Sequence, residues 1–295
     1  GMTANARVIE NTVRKLLSYP LAEVRAIGEK VKQVAKAEVP TLVKYAEAVP
    51  YIVETSKELN AKRLTLTEQP PTQDFCNLVD YDHHGEQKIL AAALYRFSDV
   101  PYADAFTHVK ALNKAERVQL AELMLGRLKR HDIPLRELEY CNYTFDLIMD
   151  QGAYAEFKRH RMMTQTPQAL STLFGYSVPK TIVDAGFESE YHNAMHLAHQ
   201  TYLDIADWNP NVASYIVPNG YNRRLLLRAN LRSLDHLINL RSAHNAHFSV
   251  RRITQRMAEE IMGINPQLGN LIRKNQNETW QSIENQYFSE IACIP

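Results

Sequence analysis

The hydrophobic positions of this chain change period several times, and each change marks an element. Between residues 5 and 48, Val13, Leu16, Leu17, Val24, Ile27, Val31, Val34 and Val39 recur at helical spacing. That pattern predicts helix, interrupted at Pro20 and broken again at Pro40 and Pro50. Residues 62–74, with Pro70 and Pro71, read as a connector. The run from Phe75 to Tyr81 reads as a strand, and Asp80-Tyr81-Asp82-His83-His84-Gly85 as its closing turn. Helices are then expected from Glu86 to Tyr95 and from Ala103 to His108. A third starts at Asn113, which forms a capping box with Glu116, and runs to about Leu128.

From Leu138 to Ile148 the period is two. Tyr140, Asn142, Thr144 and Asp146 alternate with Cys141, Tyr143, Phe145 and Leu147, which predicts a strand. Helix resumes near Ala153, residues 175–186 read as irregular, and Ser189 to Ala206 is helical. Val212 to Val217 reads as a short strand before Pro218-Asn219-Gly220. Tyr221 to Leu240 reads as one long helix, Asn245 to Met262 as another, and the tail from Pro266 as weaker helix. The expected class is α+β: helices around a small, mostly antiparallel sheet. Residues 1–62 form an N-terminal helical segment and residues 63–295 the main domain.

Composition changes this picture little. A hydrophobic fraction of 45% supports a sizeable core, and a net charge of +1 gives no global case for nucleic acid or membrane. Anion binding must therefore be local. Cys76, Cys141 and Cys293 are odd in number and far apart, which suggests a reducing compartment. No run approaches a membrane span and no signal-peptide core is visible, so a cytoplasmic location is expected.

The candidate chemistry is basic. Phe157-Lys158-Arg159-His160-Arg161-Met162-Met163-Thr164 crowds cationic and titratable side chains after a short amphipathic segment. The guanidinium fork suits phosphate or pyrophosphate, although a solvated basic turn would look the same. On the expected long helix, Arg224, Arg228 and Arg232 fall at i, i+4 and i+8, with Asp235 the one acid nearby. Such a row either faces water or holds a ligand anion. Asp80, Asp82, His83, His84 and Glu86 match no trusted metal spacing. His192, His196 and His199 lack the Glu of the zinc-protease motif, so no metal site is expected. The 10 glycines form no phosphate-cradling loop, so any dinucleotide is bound without a Rossmann turn.

Taken in order, these segments resemble the flavin-dependent thymidylate synthases. That family carries Arg-His-Arg followed by seven residues and Ser, and then a helix reading Asn-Leu-Arg-Ser-Leu, Leu-Arg and Ala-Gln-Trp-Glu-Ile-Arg. This chain has Arg159-His160-Arg161, Asn230-Leu231-Arg232-Ser233-Leu234, Leu240-Arg241 and Ala246-His247-Phe248-Ser249-Val250-Arg251 at matching spacing. Glu139 to Phe145 is similar to the family strand Glu-His-x-x-Phe-Thr-Phe. The resemblance covers roughly residues 75 to 265. It implies a homo-oligomer, a tetramer in the family, with FAD held between subunits. It further implies that Thr144, Arg159, His160, Arg161, Asn230, Arg232, His236 and Arg241 line the flavin site. The implied reaction carries a methylene from methylenetetrahydrofolate to a small-molecule nucleotide, dUMP. Reduced FAD gives the hydride, NADPH re-reduces the flavin, and Arg241 stabilises charge on the pyrimidine.

The departures from that pattern fall on the nucleotide and folate side. The signature Ser is Ala169, the nucleotide-gripping Arg is Ser171, and the loop acid is Pro167. The Gln before the triplet is Glu156, the strand Arg is Ser214, and the His after Glu139 is Tyr140. Losing two arginines removes two charge-assisted partners, roughly 1.5–3 kcal/mol each. Lys158, Lys180 and Arg223 are the cations that could substitute. FAD binding is thus a firmer expectation than dUMP binding, and a divergent FAD- or nucleotide-binding homologue without thymidylate synthesis is the alternative. Ala22-Glu23-Val24-Arg25 and Pro40-Thr41-Leu42-Val43-Lys44-Tyr45-Ala46 resemble the end of a preceding family unit, which suggests a duplicated ancestor or a tandem protein. An unrelated pair of amphipathic helices is the other reading.

Overall fold

A computed structural model describes residues 3–64, 74–129 and 131–293. The expected connector around Pro70 and Pro71 lies largely outside the described residues. The chain divides into two compact units: Gly1–Gln73 with Ile205–Tyr215, and Asp74–Asp204 with Ile216–Pro295.

In the first unit, α1 (Ala6–Leu17), α2 (Ala22–Ala35), α3 (Pro40–Val43) and α4 (Pro50–Ala61) follow one another. Asn5 caps α1 by accepting from the Val8 amide. Pro40 and Pro50 each start a helix, where a missing N–H costs nothing. Val13, Leu17, Ala35, Val43 and Ala46 form a small core. Lys32, nearly buried, pairs with Glu47 at 2.5 Å.

The second unit starts with β1 (Cys76–Tyr81), α5 (Gly85–Arg96), α6 (Tyr102–Ala111) and α7 (Lys114–Leu125). The Asn113–Glu116 capping box forms as expected. Next come β2 (Asn142–Asp150), α8 (Gln151–Phe157), β3 (Thr164–Pro167), β4 (Tyr176–Pro179), α9 (Lys180–Asp184) and α10 (Glu188–Trp208), whose residues from Ile205 on belong to the first unit. After α11 (Pro210–Ala213), which belongs to the first unit, the chain continues as β5 (Asn222–Asn230), α12 (Leu231–Arg241) and α13 (Phe248–Ile264). It closes with α14 (Pro266–Gly269), α15 (Trp280–Tyr287) and β6 (Phe288–Cys293).

Four antiparallel strands form the main sheet in the order β1-β2-β5-β3, and β4 pairs with β6. The expected α+β class with a small antiparallel sheet is what the fold is. Tyr143, Phe145, Leu147 and Met149 of β2 and Leu225 and Leu227 of β5 point to one face and are buried. Against them pack α5, α12 and α13, through Ile89, Leu90, Leu234, Leu237, Ile238, Val250, Ile253, Met257 and Ile261. The helices cover one face of the sheet, as the alternation of β2 demands.

Three expectations are corrected. Residues 221–240 are not one helix: β5 pairs with β2 from Asn222 to Asn230, and the helix starts only at Leu231. The run Leu225-Leu226-Leu227 fits either period, and the long partner strand decides in favour of β. Asn230 ends the strand and caps α12 by accepting from the Ser233 amide at 2.9 Å. Residues 212–217 are not a strand: Asn209 caps a short helix with Pro210 in its first turn, and Ser214–Ile216 is a 3-10 turn. Residues 175–186 are not irregular: Gly175, at φ 67°, turns the chain into β4, whose partner β6 lies far along the sequence.

Candidate active site

The arginine row expected on one helix face does not exist, because two of its members are on a strand. Residues i and i+4 share a face in a strand as well, so Arg224 and Arg228 project together from the outward face of β5. Each has a carboxylate on a neighbouring or nearby strand. Arg224 Nε donates to both oxygens of Asp146 at 2.8 and 3.1 Å. Arg228 Nη1 reaches Asp80 at 3.3 Å. Arg232 lies on α12, where Nη1 donates to Glu139 at 2.8 Å and Nε to the Pro134 carbonyl at 3.1 Å. Burial acts to raise the Glu139 carboxyl, but hydrogen bonds from Arg136 and Arg232 hold it below its usual range.

The basic triplet follows α8 directly, and two threads tie it to α12. Ser233 Oγ donates to the Met162 carbonyl at 3.2 Å, and Arg241 Nε donates to His160 Nε2 at 3.1 Å. Gln165, at the start of β3, closes the loop by donating to the carbonyls of Phe157 and His160 at 3.0 and 3.1 Å. His160 is 9% exposed, and its ring meets that of His236 edge to face at 5.7 Å. Burial first, then the nearby Arg241 and His236, lower its pKa to about 4. With Nε2 accepting from Arg241, the proton sits on Nδ1 and the ring is neutral. His236 itself is exposed.

The flanking arginines behave differently from His160. Arg159 has a side chain 68% exposed and approaches Glu156 at 3.4 Å. Arg161 is exposed and makes no ion pair with a described residue. Arg241 is mostly covered and pairs with Glu156 at 2.5 Å. So the sequence-derived set divides. His160, His236 and Arg241 are in one cluster with Arg159 at its edge. Asn230 and Arg232 are committed to a helix cap and to Glu139. Gln165 and Ser233 are parts of the site that residue type alone did not single out, and Glu156 stood out as the acid in place of the family's Gln. The signal for Glu156 was there, in an acid placed three residues before a basic triplet.

Thr144 sits on the outward face of β2, opposite Arg228 on β5, which in turn is opposite Thr164 on β3. Its Oγ1 is buried and has no hydrogen-bond partner. A buried hydroxyl without a partner is uncommon and is a natural place for a ligand hydrogen bond. Exposed guanidiniums at Arg159 and Arg161 beside a neutral imidazole suit an anionic ligand.

The substituted positions are plain. Ser171 is buried, and its Oγ accepts from the Leu173 amide at 3.4 Å. Ser214 donates to the Asn211 carbonyl at 2.7 Å, and Tyr140 is exposed. Of the three candidate replacement cations, Arg223 is buried, donates to Gln151 and the Gln168 carbonyl, and stacks on Tyr154. Lys180 donates to the Asn285 carbonyl, which leaves Lys158, an exposed residue.

In each histidine-rich segment part of the set is engaged within the fold. Asp82 accepts from the Asn142 amide at 2.9 Å and buried Glu86 from the Leu268 amide at 2.8 Å. His192 Nδ1 is 2.7 Å from the Tyr176 hydroxyl and His199 Nδ1 is 2.8 Å from that of Thr172. Ligand atoms of Glu188, His192 and Glu290 lie within 4.8 Å of one another, a grouping that the histidine row did not suggest.

The fold and the basic cluster define an α+β protein with surplus positive charge beside a buried His160. The family described as thymidylate synthase complementing protein matches residues 77–267, and the chain belongs to it. A UPF0159 protein of Chlamydia muridarum is 33% identical over 278 residues, covering 90% of this chain and 52% of the relative. A UPF0159 protein of Chlamydia pneumoniae is 31% identical with the same coverage. A flavin-dependent thymidylate synthase of Sulfolobus acidocaldarius is 25% identical over 182 residues, 53% of this chain and 67% of that protein. The chain spans about half the length of the UPF0159 relatives it matches. Among the described residues no helix is long and apolar enough to cross a membrane.

Proposed function

We propose that this chain binds FAD at the cluster around His160 and works as a flavin-dependent thymidylate synthase-like protein. The observation that carries the reading is the pair of exposed guanidiniums, Arg159 and Arg161, on either side of a buried neutral His160. In this reading Arg159 and Arg161 receive the pyrophosphate, as bidentate forks do. Thr144 gives its unpaired hydroxyl to the ligand, and His236 and the Asn230 amide add directed hydrogen bonds. Arg232, held by Glu139, fixes the start of α12 against the ligand. Arg241 orients His160 and presents positive charge toward a pyrimidine ring. Reduced flavin, when bound, supplies the hydride for methylation of dUMP with methylenetetrahydrofolate, and NADPH is the reductant. The same reading has a homotetramer with FAD between subunits.

A second reading has specific support. Glu156 already neutralises Arg241, Arg223 is buried in other bonds, and Ser171 stands where the family has an arginine. These favour an FAD- or nucleotide-binding homologue that has lost dUMP. Recording the visible flavin spectrum of the FAD-loaded protein during a dUMP titration separates the two. A saturable band shift supports thymidylate chemistry, a bound flavin blind to dUMP supports the second reading, and no bound flavin removes both.

A further inference from the structure

Glu156 occupies the last turn of α8, and its two oxygens are divided between guanidiniums from two elements. Oε1 faces Arg159 Nη2 at 3.4 Å and Oε2 faces Arg241 Nη1 at 2.5 Å. Arg241 spends its Nε on His160, so two of its three nitrogens are already engaged within the site. Two oxygens on one centre, each aimed at a different guanidinium, is the arrangement a phosphate would adopt between the same two arginines. The carboxylate is itself partly open to solvent, its side chain 28% exposed, so an incoming anion can reach and displace it. The local charge fits. Arg159, Arg161 and Arg241 carry three positive charges, Glu156 removes one, and His160 is neutral.

We infer that Glu156 is a specificity-determining residue whose carboxylate fills the anion seat between Arg159 and Arg241, so that a phosphate-bearing ligand binds there only by displacing it. The seat therefore favours ligands with less negative charge at that point than a phosphate monoester. A neutral amide at the same position would leave the seat open to phosphate. The inference rests on the proposed role of Arg159 as a phosphate contact and adds Arg241 as a second partner; inorganic pyrophosphate tests it without flavin.

The experiment is isothermal titration of pyrophosphate into the flavin-free 295-residue chain, near neutral pH and low salt, with folding checked by circular dichroism. Glu156→Gln is expected to bind at least about tenfold tighter than the parent chain, about 1.4 kcal/mol. Glu156→Gln/Arg241→Gln is expected to return to the parent affinity. Glu156→Asp, whose shorter reach strains both contacts, falls between, and it carries the test if the amide variant does not fold. Affinity unchanged or weaker in folded Glu156→Gln and Glu156→Asp overturns the inference, as does no detectable binding in any variant. Loss of the flavin reading would show separately, as no FAD binding while the pyrophosphate ranking holds.

Discussion

The arginines of β5 and those around His160 face the same physical demand and meet it differently. Arg224 and Arg228 each have a carboxylate of their own, Asp146 and Asp80, on strands of the same sheet. Arg159 and Arg241 share one carboxylate, and Arg161 has no acidic partner among the described residues. One set is balanced within the fold and reads as structural. The other carries surplus charge at an exposed loop and reads as a place for a ligand. Counting arginines would not separate them; counting their carboxylates does.

A fully balanced, buried pair sets the upper end of the comparison. Arg273 donates from its backbone and guanidinium to Asp235, which is 2% exposed on α12. Asp235→Ala is expected to lower stability by about 3 kcal/mol in urea denaturation, because it removes the buried carboxylate that neutralises Arg273. Asp146→Ala, which frees the half-buried Arg224, is expected to cost about 1.5 kcal/mol. Asp80→Ala, opposite an arginine in solvent, should cost under about 1 kcal/mol. If Asp80→Ala proved as damaging as Asp235→Ala, the distinction by burial would be wrong.

His160 sharpens the same contrast through pH. Its folded pKa of about 4 lies below the ordinary 6.5, so the unfolded chain binds the extra proton between those values. Its neutral burial therefore adds stability at neutral pH that is lost as pH falls from about 6.5 towards 4. Urea midpoints across that window should slope less in His160→Gln than in the parent chain. Equal slopes would mean that the ring is not buried neutral.

Much of this was legible in the chain, and the failures have physical causes. Period two at Asn142–Asp150 and the Asn113–Glu116 box are local signals, and both elements formed. β5 was misread because Leu225-Leu226-Leu227 satisfies either period and its pairing with β2 is not local. β4 was invisible because its partner β6 is remote in sequence. At the site, ordered motifs pointed to Arg159-His160-Arg161 and Leu240-Arg241, and the fold joins them at the His160–Arg241 bond. What no motif could reveal is that Arg224 and Arg228 are neutralised across strands while Glu156 serves two arginines at once.

The most direct test of the account is FAD binding, followed by protein fluorescence, in the parent chain and in Arg159→Ala/Arg161→Ala. Saturable binding is expected in the parent chain, at least about tenfold weaker in the double variant. The stability of the double variant is expected within about 0.5 kcal/mol of the parent, since neither side chain is buried. Flavin binding that survives loss of both arginines, or a double variant that unfolds, would contradict the claim that this surplus charge exists for a ligand.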